Sequence, residues 1–237
     1  MIKLGVSGAM GKMGKRILSL ALLDRVFKVS LALEKTGCFL PNKKIAGLKV
    51  QGCAEAIKSV DVLIDFSCIE ATLEHLAYAV KFKKAIVIGT TGFSEAQKKK
   101  IVLAAKKIPV IFSPNMSIGV NLLFSLVQQA ANVLSKEYKA SIVEAHHVHK
   151  KDAPSGTAKY LAQIIKEECK HKPGVKSIRE GEIIGDHDVI FDSPWDTIKL
   201  SHSAKTRDIF AKGALEAAKF IVTRKKGLYG MDRVIRR

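Results

Sequence analysis

The chain has 237 residues, 47% of them hydrophobic, enough for one large or two small domains with a buried core. Aromatic residues are only 6% of the total, so aliphatic side chains must supply most of the packing. The net charge is +18, but the lysines are scattered in short groups such as Lys98-Lys99-Lys100 and Lys106-Lys107 without interleaved aromatics, which argues against a base-stacking nucleic-acid surface and for a solvated basic one that attracts phosphorylated cofactors and dicarboxylates.

In chain order, Ile2–Ser7 reads as a buried strand and Lys12–Leu23 as a helix, with Met13, Ile17, Leu20 and Ala21 on one face. A second strand spans Val26–Leu33 and a third Val60–Phe66. A helix over Glu70–Lys81 and a strand over Ala85–Ile88 follow. Ser94 and Gln97 have the spacing of a capping box for a helix running to about Lys107, and Val110–Phe112 is a fifth short strand. This alternation predicts an α/β fold, a parallel sheet with helices on both faces.

After Pro114 the pattern changes. A long helix over Val120–Leu134 precedes a strand over Ser141–Ala145 and a helix over Thr157–Glu168. Lys176–Ile184, Asp188–Phe191 and Thr197–His202 then read as strands without intervening helices, which predicts a second, α+β domain. Arg207–Val222 returns as a helix expected to pack on the first domain. No run of about 18 apolar residues predicts a membrane span, and Met1–Gly5 enters a strand pattern rather than a signal-peptide layout. Cys38, Cys53, Cys68 and Cys169 form no CxxC pair, so a reduced, cytoplasmic protein is expected.

Gly8, Gly11 and Gly14 follow the first strand and open the first helix. Glycines there let backbone N–H groups approach a pyrophosphate, and the helix N-terminus favours its charge. The spacing is GxxGxxG rather than GxGxxG, and a purely steric turn would look the same. Glu34 ends the second strand 20 residues after Gly14, where a carboxylate can bond ribose hydroxyls or simply be solvated. Lys35 could meet a 2′-phosphate, so NADPH and NADH both remain open. The loops Gly89-Thr90-Thr91-Gly92 and Ser113-Pro114-Asn115-Met116 also leave carboxyl ends of strands, where such sheets bind ligands.

The segment from Glu144 to Ala158 holds His146, His147 and His149, three of the seven histidines, followed by Lys150. Imidazoles exchange protons near neutral pH, and Lys150 can donate a proton or bind a carboxylate. Pro154-Ser155-Gly156-Thr157 then starts a helix whose free N–H groups can hold an anion. A zinc site is a rival, but His146 should point away from its two neighbours along a strand and no cysteine accompanies them, so no metal is expected. Asp152 reads as a turn or cap residue.

On Gly8 to Gly14, Ala32 to Lys35, Asp65 to Ser67, Gly89 to Gly92, Asn115 to Val120, Phe210 to Ala214 and above all Glu144 to Ala158, the chain resembles the dihydrodipicolinate reductase family, also called 4-hydroxy-tetrahydrodipicolinate reductase. The resemblance implies an N-terminal Rossmann-type domain of residues 1–117 plus 204–237 that binds NADPH or NADH. It implies a substrate-binding and tetramerisation domain of residues 118–203, in a homotetramer without membrane or nucleic-acid partners. The implied reaction reduces a small cyclic dicarboxylate, 4-hydroxy-tetrahydrodipicolinate, with loss of water. It implies His146 as the acid/base residue, Lys150 as proton donor, and His147, Gly156 and Thr157 as substrate contacts. The implied cofactor contacts are Gly8, Ala9, Met10, Gly11, Lys12, Met13, Glu34, Lys35, Gly89, Thr90, Thr91, Ser113, Pro114, Asn115 and Met116. Relative to the family pattern, the stretch between Glu168 and Gly185 is short, Gly185-Asp186-His187 replaces Gly-Glu-His, and Met116 stands where an aromatic residue is common. Two other readings share part of the pattern: a related dehydrogenase of another amino acid derivative, and an NAD(P)H-sensing DNA-binding regulator. The second needs a helix-turn-helix segment, which the sequence lacks.

Overall fold

Alternating branched residues make Ile2–Ser7 a strand, β1, and the glycine turn after it releases the chain into helix α1 (Lys12–Leu23). The computed structural model describes residues 1–37, 42–134 and 137–236. These form two compact units, residues 1–117 with 210–237, and residues 118–209. In the first unit β2 (Phe27–Leu33) follows, then β3 (Lys44–Ile45), β4 (Leu48–Gln51) and a 3-10 turn (Ala54–Ser59). Next come β5 (Val62–Asp65), α2 (Ile69–Phe82), β6 (Ala85–Ile88), α3 (Glu95–Ala105) and β7 (Pro109–Phe112). The second unit holds α4 (Ile118–Leu134), β8 (Lys139–His146), α5 (Gly156–Cys169), β9 (Gly174–Arg179), β10 (Asp186–Asp192) and β11 (Thr197–Ser203). The chain then returns through α6 (Asp208–Ile221), β12 (Gly227–Tyr229) and α7 (Met231–Ile235).

The sheet of the first unit has the order β12-β7-β6-β5-β1-β2-β4-β3, parallel except for the β3–β4 pair. From β1 the chain moves outward to β2, then recrosses to β5 on the other side, so a topological switch point lies between β1 and β5. Successive strand residues face opposite layers. Leu4, Val6, Ile64 and Val87 pack with Ile17 of α1 and Ala214, Ala217 and Ala218 of α6. Leu63, Ile86, Ile88 and Val110 pack with Leu76 of α2 and Ile101 of α3. Helices on both faces are what the strand–helix alternation predicts. Ser94 caps α3 as its spacing requires: its hydroxyl accepts from the Gln97 amide at 3.3 Å, and its own amide donates to Gln97 Oε1 at 2.8 Å.

In the second unit the sheet order is β11-β10-β8-β9. One face carries Ile142, Val189 and Phe191, covered by Val120, Leu123 and Val127 of α4 and Leu161 and Ile165 of α5. Three details differ from the sequence reading. The strand expected over Lys176–Ile184 ends at Arg179, because Glu180 and Gly181 turn, with Gly181 at φ +48°. The α1 stripe is Gly14, Ile17, Leu18 and Ala21, with Met13 and Leu20 half-buried. The β3–β4 hairpin, β12 and α7 escape the periodicity argument because each is too short to show a period. Cys53, Cys68 and Cys169 are free thiols, and Cys38 lies outside the described residues. Among the described residues no helix is long and apolar enough to cross a membrane.

The glycine turn carries a strong steric demand in the first unit. A Cβ on Gly14 would overlap the Gly8 carbonyl oxygen, which belongs to rigid backbone. Gly14→Ala should therefore cost ~1–3 kcal/mol and lower the melting temperature by several degrees. Gly174→Ala, whose Cβ meets nothing within 4 Å, should leave it nearly unchanged. Scanning calorimetry of both variants checks this; equal melting temperatures would remove the packing argument.

Candidate active site

Because the first sheet is parallel, the loops after β1, β2, β5, β6 and β7 share its carboxyl edge. Gly8 sits at the switch point with φ +72°, and a Cβ there would overlap the Phe66 carbonyl oxygen of the loop after β5. Only glycine fits that close approach of two backbones. Gly11 caps α1 without a side-chain hydrogen bond, and no acidic residue occupies the first turn, so the positive end of the helix stays available to an anion. Glu34 Oε1 accepts from the Met10 amide at 2.6 Å, which ties the glycine turn to the end of β2. The carboxylate expected at a ribose thus also shapes the loop, with one oxygen engaged. Lys35 is exposed beside it.

The loops after β5 and β6 border a cleft of about 470 Å³ lined by Phe66 to Glu70 and Gly89 to Thr91. Two of its lining residues, Ser67 and Thr90, belong to a buried polar cluster. Asp65 is fully buried at the end of β5. Its Oδ1 accepts from Ser67 N at 3.0 Å, Ser67 Oγ at 2.6 Å, Thr72 Oγ1 at 3.1 Å and Thr90 Oγ1 at 3.4 Å. Its Oδ2 meets His75 Nδ1 at 2.7 Å, and that nitrogen also lies 3.2 Å from Ser7 Oγ. Thr90 of the expected cofactor loop is therefore held from below. Gly89 lies against the Phe66 ring, which a Cβ would strike. After β7, Ser113 Oγ donates to the Asn115 carbonyl at 2.8 Å and Asn115 Oδ1 accepts from Ser117 N at 2.9 Å, closing a tight turn. Pro114 is exposed, whereas Ala9 and Met116 are buried in the core. Those two therefore offer a ligand their backbone rather than their side chains. Phe66 and Ser67 line the cleft and Asp65 and His75 hold its loops; sequence reasoning gave none of the four a role.

The inward face of β8 begins with Ala140 and Ile142 and continues with Glu144 and His146, both buried. The alternation that hides two apolar residues thus carries two polar ones into the same layer. Register places Glu144 opposite His187 of β10, and His146 beside Arg179 of β9. Glu144 Oε2 accepts from His146 Nδ1 at 2.5 Å. Glu144 Oε1 accepts from Arg179 Nη2 at 2.9 Å and from the Ser155 amide at 3.4 Å. Burial opposes the charge on Glu144, but hydrogen bonds from Arg179, Ser177 and His146 outweigh it and hold the carboxyl below its ordinary range. Burial also lowers the His146 pKa; Glu144 opposes that effect, and the charges of Lys150 and Arg179 add to it.

Lys150 follows the strand in a turn closed by its amide on the His147 carbonyl at 3.1 Å. Its Nζ pairs with Asp152 Oδ1 at 2.8 Å, and that hydrogen bond is the main reason the Asp152 carboxyl titrates below its ordinary value. His147 Nε2 lies 3.3 Å from Arg207 Nη2, so a third cation joins the group. Ser155 caps α5: its hydroxyl accepts from the Ala158 amide at 3.1 Å and lies 3.2 Å from His187 Nε2. Gly156 and Thr157 form the first turn of that helix, with Gly156 exposed. The structure thus gathers His146, Lys150, His147, Gly156 and Thr157 within the second unit. His149 is largely exposed, with its ring 6.0 Å from that of His147 and Glu182 at 3.7 Å.

The zinc alternative rests on His146, His147 and His149, and the donor atoms that converge in the fold are a different set. Among the described residues the donor atoms close to one another are those of Glu144, His146 and His187, all within 4.8 Å. Both oxygens of that carboxylate already have protein partners, including the cation of Arg179. Glu144 and His187 could have been found from period-two spacing, since each falls on the inward face of its strand. Arg179 could not, because 35 residues separate it from the carboxylate it pairs with.

A parallel sheet with a glycine turn at its switch point, followed by a unit that presents an imidazole, an ammonium and a guanidinium, defines a Rossmann-type nucleotide-dependent oxidoreductase. Comparison with known sequences narrows the class. Residues 2–116 match the profile "Dihydrodipicolinate reductase, N-terminus", and residues 119–235 match "Dihydrodipicolinate reductase, C-terminus". The 4-hydroxy-tetrahydrodipicolinate reductase of Magnetococcus marinus is 40% identical over 99% of this chain and 98% of its own length. That of Caldanaerobacter subterraneus subsp. tengcongensis is 41% identical, covering 100% of this chain and 99% of its own. A dipicolinate-bound dihydrodipicolinate reductase from Paenisporosarcina sp. TG-14 has the same fold, with a TM-score of 0.84 at 23% identity over 97% of both chains. The chain belongs to the dihydrodipicolinate reductase family, and it is an NAD(P)H-dependent oxidoreductase.

One pH dependence follows from the second unit. Burial pushes His187 from its ordinary 6.5 down to about 4, with the nearby His146 adding to the effect. In the unfolded chain this imidazole gains a proton near pH 6.5, while in the fold it resists protonation until about 4. Stability that is present at pH 7 is therefore lost as the pH falls through that window. At pH 5 the loss from this residue should be about 2 kcal/mol. Urea unfolding at pH 7 and pH 5 should show His187→Asn losing correspondingly less than the parent protein. An equal loss in both would contradict the assignment.

Proposed function

We propose that this chain reduces 4-hydroxy-tetrahydrodipicolinate to tetrahydrodipicolinate with NADPH or NADH, in the lysine and diaminopimelate pathway. One proton and one hydride enter the ring, and one water leaves. The observation that carries this reading is the cluster at the end of β8, a buried imidazole on an ionised carboxylate beside the ion-paired Lys150.

The glycine turn tests whether a dinucleotide suits the first unit. Added side chains at Gly8 and Gly14 would meet backbone, and the α1 terminus has no side-chain cap, so the cradle has the shape and polarity a pyrophosphate needs. Gly8 to Met13 would hold the pyrophosphate, Glu34 and Lys35 the adenosine ribose, and Gly89 to Thr91 with Ser113 to Met116 the nicotinamide end. Lys35 supplies a point charge suited to a 2′-phosphate yet not required for NADH, so both cofactors are used in this reading. When bound, the reduced dinucleotide supplies the hydride.

The chain's own residues do the rest. Lys150 and Arg207, the latter beside His147, offer positive charge to the substrate carboxylates, and the first turn of α5 at Gly156 and Thr157 offers amides to one of them. His146 exchanges a proton at Nε2, since Nδ1 is committed to Glu144. Lys150 donates the proton that the reduced ring requires, a step to which a positioned acid contributes about 10²–10⁴-fold. The Paenisporosarcina protein holds dipicolinate, which supports a cyclic dicarboxylate as the ligand class. We further propose a cytoplasmic homotetramer, as the family resemblance implies; light scattering on the purified protein checks the subunit number.

An assay with freshly generated substrate, following loss of reduced-nicotinamide absorbance with each cofactor, tests the reaction. Lys150→Ala should lose at least about 100-fold in kcat while retaining NADPH affinity. Glu34→Ala should weaken NADH binding more than it slows turnover at saturating cofactor. A Lys150→Ala protein that loses cofactor affinity as severely as turnover, or a Glu34→Ala protein with unchanged NADH affinity, would remove that residue from its role.

A further inference from the structure

We infer that Glu144 is a positioning residue for His146, fixing the imidazole so that Nε2 is the atom that exchanges the proton, and that Arg179 ties this carboxylate to the loop carrying Lys150. The inference rests on the proposed acid/base role of His146 and deepens it.

The two oxygens of Glu144 do different work. Oε2 takes the His146 Nδ1 proton at 2.5 Å, while Oε1 takes the Arg179 guanidinium at 2.9 Å and the Ser155 amide at 3.4 Å. An ionised carboxylate only accepts, so Nδ1 must carry the hydrogen in both charge states of the ring. Nε2 is left as the position that gains and loses a proton. It faces Gly185, where even a methyl group would stand 3.0 Å away. Glycine there keeps a path open at the reactive nitrogen.

Arg179 reaches further than its ion pair. Its Nη2 also donates to the Asp152 carbonyl at 2.6 Å, and its Nη1 to the Ile178 carbonyl at 2.6 Å. Asp152 in turn holds Lys150 through its side chain at 2.8 Å. Lys150, Asp152, Arg179, Glu144 and His146 therefore form one connected chain, with the proposed proton donor at one end and the proposed acid/base group at the other. A carboxylate serving only to staple β8 to β9 would need neither the His146 bond nor the link to Asp152. The charged and titratable groups acting on His146 are Glu144, Lys150, Arg179 and, across β10, His187.

The test is the pH dependence of kcat/KM and the separate kcat and KM for NADPH in Glu144→Gln. The amide keeps the shape and removes the charge that supports the imidazolium. At pH 7 kcat should fall at least about tenfold with KM for NADPH within about twofold. The limb of the pH profile due to His146 should move about one unit to the acid side. A structural staple would lower the melting temperature and leave the limb in place. An unmoved limb with kcat within threefold of the parent overturns the inference. If Glu144→Gln does not fold, Gly185→Ala carries the test, because its methyl group crowds Nε2 directly. It should lower kcat at least about tenfold with KM for NADPH unchanged, and an unchanged kcat overturns the inference. Failure of the underlying reading looks different: the parent protein itself would leave NADPH unoxidised with fresh substrate, and the inference would fall with it.

Discussion

A carboxylate sealed from water persists as an anion only where its charge is answered, and the second unit is organised around one such group. Glu144 has no solvent exposure, yet its oxygens meet an imidazole, a guanidinium and a backbone amide. Each partner comes from a different element: His146 from β8 itself, Arg179 from β9, and Ser155 from the cap of α5. Taking any one of them away leaves buried charge unmatched, which is far costlier than losing a surface ion pair. The sheet, the α5 cap and the loop bearing Lys150 are consequently held to one another through a single side chain.

The first unit uses the same device under its own loops. Asp65 is equally buried and collects hydrogen bonds from Ser67, Thr72, Thr90 and His75. The sheet's parallel topology brings the loops to one edge, and Asp65 fixes two of them, those after β5 and β6, against each other. Glu34 does a lighter version of this for the glycine turn through the Met10 amide. In both units an acidic residue at or near the end of a strand sets the backbone that a ligand would meet. Loops fixed in this way need little reordering on binding, so less affinity is spent on ordering them.

Much of this was legible in the residues. Strand and helix alternation through Phe112 was strong because each α-helix is at least 11 residues long and the buried strands are mostly apolar. The Glu144 to Ala158 string drew attention by its chemistry, three imidazoles and a lysine beside a helix start, although packing at a strand end would also account for single histidines, and its roles came from the family resemblance. The pairing of Glu144 with Arg179 was not legible. It depends on the β8–β9 register and on β9 stopping at Arg179, whereas the apolar residues Ile183 and Ile184 made the strand look longer. His75 was hidden for a related reason: on a helix, one histidine among leucines and alanines gives no sign of a carboxylate ten residues earlier. The donor atoms that converge are not those of the three clustered histidines. The histidine whose ring approaches His146 is His187 of β10.

The claim on which the account turns is that His146 carries its permanent hydrogen on Nδ1 and exchanges its mobile one at Nε2. Nitrogen-15 NMR of histidine-labelled protein, with His146 assigned by substitution and spectra taken above its pKa, reports the tautomer directly. The account predicts a protonated, strongly hydrogen-bonded Nδ1 and an unprotonated Nε2. The opposite tautomer, or a mixture averaging the two nitrogens, would contradict it.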